Sequence, residues 1–467
     1  MFFRKKQVGS TIAWLLIFAF VPWLGFLLYF FFGSTRKLRL FSRKNSPSAE
    51  ISRYTESPAE NYQAIQKEMG AGAQEGCRDL VLMNLKGAGA IYTWGNDVQL
   101  LCDAQQKYER MFADIEGATE SIHVLYFIIK TKDAIGKKFV SLLARKARQG
   151  VKVRVIYDTL GCLKTSMHDF DELLDAGGMV YGYLPSVIRT LVQVNYRMHR
   201  KMVIVDGRVA YTGGINIGDD YLGLDPVIKP WRDTSIRLSG PCVREVQARF
   251  IRDWVYLDAQ SPRPYVEKID SADGLPHYLR EPSPTGGAGV QIVCSGPDSL
   301  YPHTKESYLR MISHARRYLY IQTPYFIPDE TLLTTLRCAS QAGVDVRVMI
   351  PGVPDKPYAY HVTMWHVGEL LRSGIKVYRY PGFIHAKTFV LDDAVASVGT
   401  TNLDIRSFDL DYEINAVVYD RDFACTCRRT FEQDQAASAP LTLEDYMSRP
   451  WGDRLKEGLL RLVTPLM

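Results

Sequence analysis

The chain of 467 residues lacks several features that would place it in common classes. None of its eight asparagines (Asn45, Asn61, Asn84, Asn96, Asn195, Asn216, Asn402, Asn415) begins an N-glycosylation sequon. The eight cysteines follow no metal-ligand spacing, since Cys425-x-Cys427 is too tight for a zinc pair, and nothing in them suggests a disulfide framework. Reduced, unmodified thiols are the expectation, and with them a body on the reducing side of a membrane. Acidic residues are wholly missing from positions 1 to 44, where eight basic ones stand (Arg4, Lys5, Lys6, Arg36, Lys37, Arg39, Arg43, Lys44). Without these eight, 49 basic side chains face 51 acidic ones, so the rest of the chain carries about −2. A duplex-binding protein usually shows a strongly basic domain. No nucleic-acid partner is expected here.

The basic end encloses a charge-free run, "TIAWLLIFAFVPWLGFLLYFFFG", residues 11–33. At helical rise this reaches roughly 34 Å, enough to cross the hydrocarbon core of a bilayer. A cleaved signal peptide would have a shorter apolar region and a small-x-small site, and neither is present. Pro22 and Gly25 in mid-segment leave a kinked or re-entrant hairpin open beside a straight span. Five basic residues follow the run and three precede it, which by the positive-inside rule puts the body in the cytoplasm, on the inner membrane. The expected organisation is a membrane anchor at 1–44, a polar juxtamembrane linker at 45–90, a first lobe at 91–262, a Ser/Pro/Gly-rich linker at 263–289, a second lobe at 290–450 and an amphipathic tail at 451–467. In the tail Leu455, Leu459, Leu462 and Leu466 recur at helical spacing, a stripe that either dips into the membrane surface or packs on the second lobe.

The two lobes repeat one another. "ESIHVLYFIIK" (120–130) is answered by "RYLYIQTPYFIP" (317–328), and "QGVKVRVIYD" (149–158) by "AGVDVRVMIP" (342–351). Offsets of 199 from Tyr126 to Tyr325, 193 from Gly150 to Gly343 and 186 from His199 to His385 drift only by small insertions. Each half alternates β-rich runs with amphipathic helical patterns, such as "KKFVSLLARKARQG" before "VKVRVIYD". This predicts α/β lobes with a mixed sheet flanked by helices.

The chemistry sits in the longest echo: "MHRKMVIVDGRVAYTGGIN" (198–216) and "IHAKTFVLDDAVASVGTTN" (384–402). Each copy carries a His and a Lys two apart on a strand-like run, an Asp seven after the His and an Asn seventeen after it. Further on, each half offers a carboxylate, Asp233 in "WRDTSIRL" and Glu413 in "DYEINAVV". One copy makes half a site. Two copies face to face supply what phosphodiester chemistry needs without a metal or cofactor. One neutral imidazole can attack phosphorus, and the other, protonated, can supply the leaving alkoxide's proton. Lys201, Lys387, Asn216 and Asn402 can hold the non-bridging oxygens as charge spreads over them. Asp233 and Glu413 can accept from each imidazole's other nitrogen and fix its tautomer. Asp206 and Asp392 complete the motifs but follow the strand ends, where structural hydrogen bonding is the simpler role. Asp409, Asp411 and Glu413 alternate in "DLDYE", a pattern that would set three carboxylates on one strand face; orientation by Glu413 is preferred to a metal site there. The other seven histidines (123, 168, 277, 303, 314, 361, 366) have no twin at the repeat offset and are expected on the surface or in packing.

The paired H-x-K-x4-D runs resemble the signature of the phospholipase D superfamily. With the N-terminal anchor, "VQIVCSGPD", "TPYFIP" and the closing "RLVTPLM", nearly the whole chain is similar to that superfamily's bacterial cardiolipin synthases. The resemblance implies two tandem phospholipase D-like lobes sharing one pseudo-twofold active site, with His199, Lys201, Asp206, His385, Lys387 and Asp392 as the catalytic set. It implies membrane phospholipids as partners: one phosphatidylglycerol is attacked through a phosphohistidine, glycerol leaves, and a second phosphatidylglycerol takes the phosphatidyl group. By the superfamily's pattern His199 is the nucleophile and His385 the acid/base, a choice the symmetry of the sequence leaves open. A phospholipase D-type hydrolase is the alternative, differing only in that water resolves the intermediate. A membrane-tethered nuclease is a remoter one, disfavoured by the near-neutral body. The other cardiolipin-forming chemistry, that of CDP-alcohol phosphotransferases, would need a D-G-x2-A-R motif and many spans. "DGRVAYTGG" does not supply it.

Overall fold

The computed structural model describes residues 15, 17–23, 25, 77–183, 195–271 and 274–463. The strand–helix alternation of each half becomes one wing of a continuous fifteen-stranded sheet. In the first half the strands are β1 (Tyr92–Leu101), β2 (Ser121–Tyr126), β3 (Lys152–Asp158), β4 (Met179–Tyr183), β5 (Met202–Val205), β6 (Val209–Gly213), β7 (Trp231–Arg232) and β8 (Ser235–Ser239). In the second they are β9 (Ala288–Ser295), β10 (Tyr318–Gln322), β11 (Phe326–Ile327), β12 (Asp345–Pro351), β13 (Lys376–Tyr380), β14 (Phe383–Ile384), β15 (Thr388–Leu391), β16 (Val395–Gly399), β17 (Leu403–Asp404), β18 (Glu413–Tyr419) and β19 (Ala439–Leu441). From the centre outward the order is β1-β8-β6-β5-β2-β3-β4 on one side and β9-β18-β16-β15-β10-β12-β13-β19 on the other. Apart from the extra edge strand β19, the two series match strand for strand. In each, one parallel trio (β2-β3-β4; β10-β12-β13) adjoins an antiparallel set.

The wings join at a bent strand. Tyr92–Asn96 of β1 pairs with β9, whereas Asp97–Leu101 pairs with β8, and the register slips between Thr93 and Asn96. Such a bulge turns a strand sharply. Gly95 sits there at φ 86°, with Pro284 so close that an added Cβ would stand 2.9 Å from the proline Cβ. The bend lets the wings pack face to face. Met202, Ile204, Ala210, Ile236 and Leu238 of the first half share one core with Ile292, Val390, Ala396, Val398, Ile414 and Ala416 of the second. The alternate residues of β5, Val203 and Val205, point the other way, into a second core beneath helices Ala104–Glu116 and Ala134–Arg148. This is the period-two pattern of strands buried on both faces.

Two segments expected to be linker are structured. Residues 78–88 form the helix Arg78–Ala88, whose Leu80, Val81 and Leu85 join the core of the second half. Between the lobes, Ile269, Leu275 and Leu279 are buried, and Glu267 pairs with Arg154. Composition hid these few apolar anchors among Ser, Pro and Gly. The tail does pack: helix Trp451–Val463 lies on helix Pro357–Arg372, with Arg461 4.7 Å from the Trp365 ring and Glu457 buried against Arg449. Trp451, Leu455 and Leu459 stay exposed. Most of the expected 11–33 span lies outside the described residues. Among those described, no helix is long and apolar enough to cross a membrane.

Candidate active site

The two His-Lys runs stand at the mouths of the matching strands β5 and β15. Each is extended, and each is clasped by a segment of the opposite half. Arg197 bridges Asp411, and the Tyr412 N–H donates to the Arg197 carbonyl at 2.8 Å. In mirror fashion β14 pairs in parallel with β7, and the His385 N–H donates to the Arg232 carbonyl at 2.7 Å. These backbone pairs carry the carboxylates across. His199 Nδ1 lies 2.9 Å from Glu413 Oε1, and His385 Nδ1 lies 2.6 Å from Asp233 Oδ2. Each imidazole is thus oriented by the other half's acid. With Nδ1–H donating to a carboxylate, Nε2 keeps its lone pair for phosphorus or a proton.

Lys201 Nζ donates to the His199 carbonyl at 2.7 Å, and Lys387 Nζ to that of His385. All four side chains are buried. Around His385 stand Tyr221, Trp231 and Phe383, the last two with ring centroids 5.7 Å away. Phe127 meets His199 edge-on at 4.9 Å. Behind the acids the halves differ. Thr400 donates its hydroxyl to Glu413, whereas Gly214 stands at the matching place because a Cβ there would fall 2.0 Å from Asp233 Oδ1.

Burial sets the electrostatics. His199 is held well below the ordinary imidazole value by desolvation, then by Lys201 and Lys387. His385 falls to about 4 through burial and Lys387, with Asp233 pulling the other way. Burial also lowers Lys201 to about 8 and Lys387 to about 7. The acids part company: burial lifts Glu413 to about 7, while Asp233, despite its burial, is held below the carboxylate range by His385 and Lys387. Near neutral pH both imidazoles are therefore neutral, beside lysines short of solvation. An anionic diester between them supplies the missing counter-charge.

Not every expected residue reaches the site. Asp206 and Asp392 stand at the far ends of β5 and β15 and do not join the two His–carboxylate pairs. Asp206 accepts from the N–H groups of Thr119, Glu120 and Ser121, and Asp392 from those of Arg316, Arg317 and Tyr318. Both adopt the left-handed conformation, φ 53° and 55°, and tie the turn after the strand to the start of β2 or β10. Asn216 is also occupied: its Oδ1 accepts from the Ile128 N–H at 3.1 Å and its Nδ2 donates to the Tyr221 hydroxyl at 2.7 Å. Asn402 is buried with Oδ1 unpartnered. Asp409 falls in the helix Ile405–Asp409, so the three acids do not share a strand face. Among the described residues, His199, Asp411 and Glu413 form a group spaced for a cation, their ligand atoms within 4.8 Å of one another. Asp411 is pushed up to about 8 by burial, with Glu413 adding to the rise, so the two acids resist ionising together.

Sequence reasoning missed Arg200, the middle residue of "HRK". It is fully buried and donates to both Asp253 oxygens, at 2.8 and 2.7 Å, and to the carbonyls of Glu413 and Ser295. Its counterpart in the repeat is Ala386. Lys107 was missed too: buried, it donates to the Ile215 carbonyl at 2.7 Å beneath the Asn216 turn.

Residues 111–254 and 308–435 match the family described as cardiolipin synthase, PLD-like domain, and residues 1–34 match the phospholipase D-nuclease N-terminal family. The chain is 42% identical over its full length to 95% of the major cardiolipin synthase ClsA of Bacillus subtilis. It is 39% identical, with the same coverage of each chain, to a cardiolipin synthase of Listeria welshimeri. The crystal structure of phosphatidylserine synthase from Haemophilus influenzae superposes with a TM-score of 0.60 at 17% identity, over 79% of this chain and 95% of that one, a likeness of fold.

Proposed function

The chain belongs to the phospholipase D-like cardiolipin synthase family, and on that premise we propose that it joins two phosphatidylglycerol molecules into cardiolipin, releasing glycerol. The observation that carries the reading is the crossed pair of dyads, His199–Glu413 and His385–Asp233, with a lysine beside each. The first phosphatidylglycerol places its phosphorus between the imidazoles. His199 Nε2 forms the P–N bond, the P–O bond to glycerol breaks, and His385, which takes up a proton as the anionic diester binds beside it, gives that oxygen its proton. A hydroxyl of the second phosphatidylglycerol then yields its proton to His385 and attacks phosphorus, and the P–N bond breaks. Lys201 and Lys387 hold the non-bridging oxygens, and the Asn402 amide can join them.

The difference between the dyads supports this division of labour. Burial leaves His199 neutral beside an acid that resists ionisation, as suits a nucleophile. His385 faces an ionised Asp233, which stabilises the imidazolium that an acid catalyst must pass through. The apolar run at 11–33, flanked by basic residues, supports an anchor in the inner membrane with the body toward the cytoplasm. Purified protein given phosphatidylglycerol in detergent tests the reading by mass spectrometry. Cardiolipin with stoichiometric glycerol is expected; phosphatidic acid alone would make the enzyme a hydrolase.

A further inference from the structure

The two halves of the site depart from equivalence at one wall. In the first half Asn216 has partners at both ends of its amide. Among the described residues of the second half, the buried acceptor oxygens without a donor include Asn402 Oδ1 and Asp355 Oδ1. Asp355 lies between β12 and helix Pro357–Arg372, and its other oxygen accepts from the Tyr325 hydroxyl at 2.5 Å. Tyr325 in turn leads into β11, which runs alongside Leu403–Asp404, immediately after Asn402. The Leu403 N–H donates to Thr323 Oγ1 at 3.2 Å, closing that wall. The Asp355 charge acts on Lys387, and that of Lys356, whose ammonium stands 5.0 Å from the Tyr325 ring centroid, acts on His199. By the 193-residue offset of this part of the repeat, the first-half counterpart of Asp355 is Cys162, a buried thiol bonded to the Phe127 carbonyl. No carboxylate stands there.

A buried acceptor without a donor is costly, and a phosphodiester brings only acceptors. Of the groups the substrate brings, the donors are the hydroxyls of its glycerol headgroup. We propose that Asp355, with Asn402 beside it, forms a subsite for the vicinal diol of the acceptor: one hydroxyl attacks phosphorus while its neighbour donates to Asp355 Oδ1. Both lipids are phosphatidylglycerols, but the reaction engages the donor at its diester and the acceptor at its diol, so a single diol subsite breaks the symmetry of the fold. This inference rests on the transfer reaction proposed above.

The test sets two alcohols against each other. Full-length protein in phosphatidylglycerol micelles receives deuterated glycerol and ethanol together, and mass spectrometry counts labelled phosphatidylglycerol, phosphatidylethanol and cardiolipin. Ethanol has no second hydroxyl. Asp355→Ala should lower the ratio of glycerol to ethanol products by about tenfold or more, while phosphatidylethanol forms within about twofold of the parent rate. Cardiolipin should fall in step with glycerol exchange. An unchanged ratio, or equal loss of both products, would overturn the subsite. Parent protein that makes no cardiolipin would refute the transfer reading instead, a result distinguishable from either.

Discussion

At the scale of single residues, the site works by keeping charge scarce. Neither imidazole is protonated near neutrality, because burial outweighs the carboxylates. The carboxylates then act by holding tautomer and orientation. Glu413→Gln or Asp233→Asn should leave the fold intact and cut turnover on the order of ten-thousandfold, as exchange of an orienting acid for its amide does elsewhere. Near-parental turnover in both variants would remove the orienting role. The lysines predict a pH profile. They bind the diester only when charged, so kcat/KM should fall as pH rises, through about 7 for Lys387 and about 8 for Lys201. No acid limb is expected near the ordinary imidazole value, since burial and the neighbouring lysines hold the nucleophile His199 well below it. A profile flat to strongly alkaline pH would contradict the lysine assignment. The His199–Asp411–Glu413 group raises one more question, which EDTA answers. Activity should survive chelation; a sharp loss restored by Mg²⁺ would make that group a metal site.

At the scale of elements, the decisive feature is a pair of short strand contacts, 197–199 with 411–413 and 383–385 with 231–233, that swap carboxylates between the halves. Arg200 fastens the first. Arg200→Met would strip Asp253 and two carbonyls of a donor and should cost about 3 kcal/mol of stability, with activity falling in parallel. Asp253 keeps Arg249 as a second partner, at 2.5 Å, so a loss far above that range is not expected. Lys201→Met gives the contrast: removing a buried amine short of solvation should leave thermal unfolding near the parent while most of the rate disappears. Denaturation curves beside rates of cardiolipin formation separate the two variants, and equal unfolding loss in both would refute the distinction. The sequence made the His-Lys runs, their spacings and both orienting acids legible, because the repeat wrote them twice. It could not show the crossing, since each acid follows its own half's histidine by 28 to 34 residues and nothing local says that it serves the other. Arg200 stayed hidden for a related reason. Its partners, Asp253, Glu413 and Ser295, are remote in sequence and meet only when the wings close.

At the scale of the whole molecule, duplication explains the architecture and the chemistry together. One wing carries a histidine, a lysine and an acid that cannot reach its own imidazole. Packing two wings across a common core completes two dyads at once, near enough that the charge of His385 acts on His199. The bent strand β1 makes that packing possible within a continuous sheet, a tertiary matter that composition gave no sign of, although Gly95 marks the corner. The helix Arg78–Ala88, ahead of the first wing, packs on the second. The central claim is that phosphorus passes through one imidazole, and its direct measurement is capture of the intermediate. Protein mixed with phosphatidylglycerol, quenched within a single turnover and digested, should yield a peptide carrying His199 with a phosphatidyl group attached, and His199→Ala should abolish both adduct and cardiolipin. An adduct on His385 would reverse the roles, and steady cardiolipin synthesis by His199→Ala would contradict the account outright.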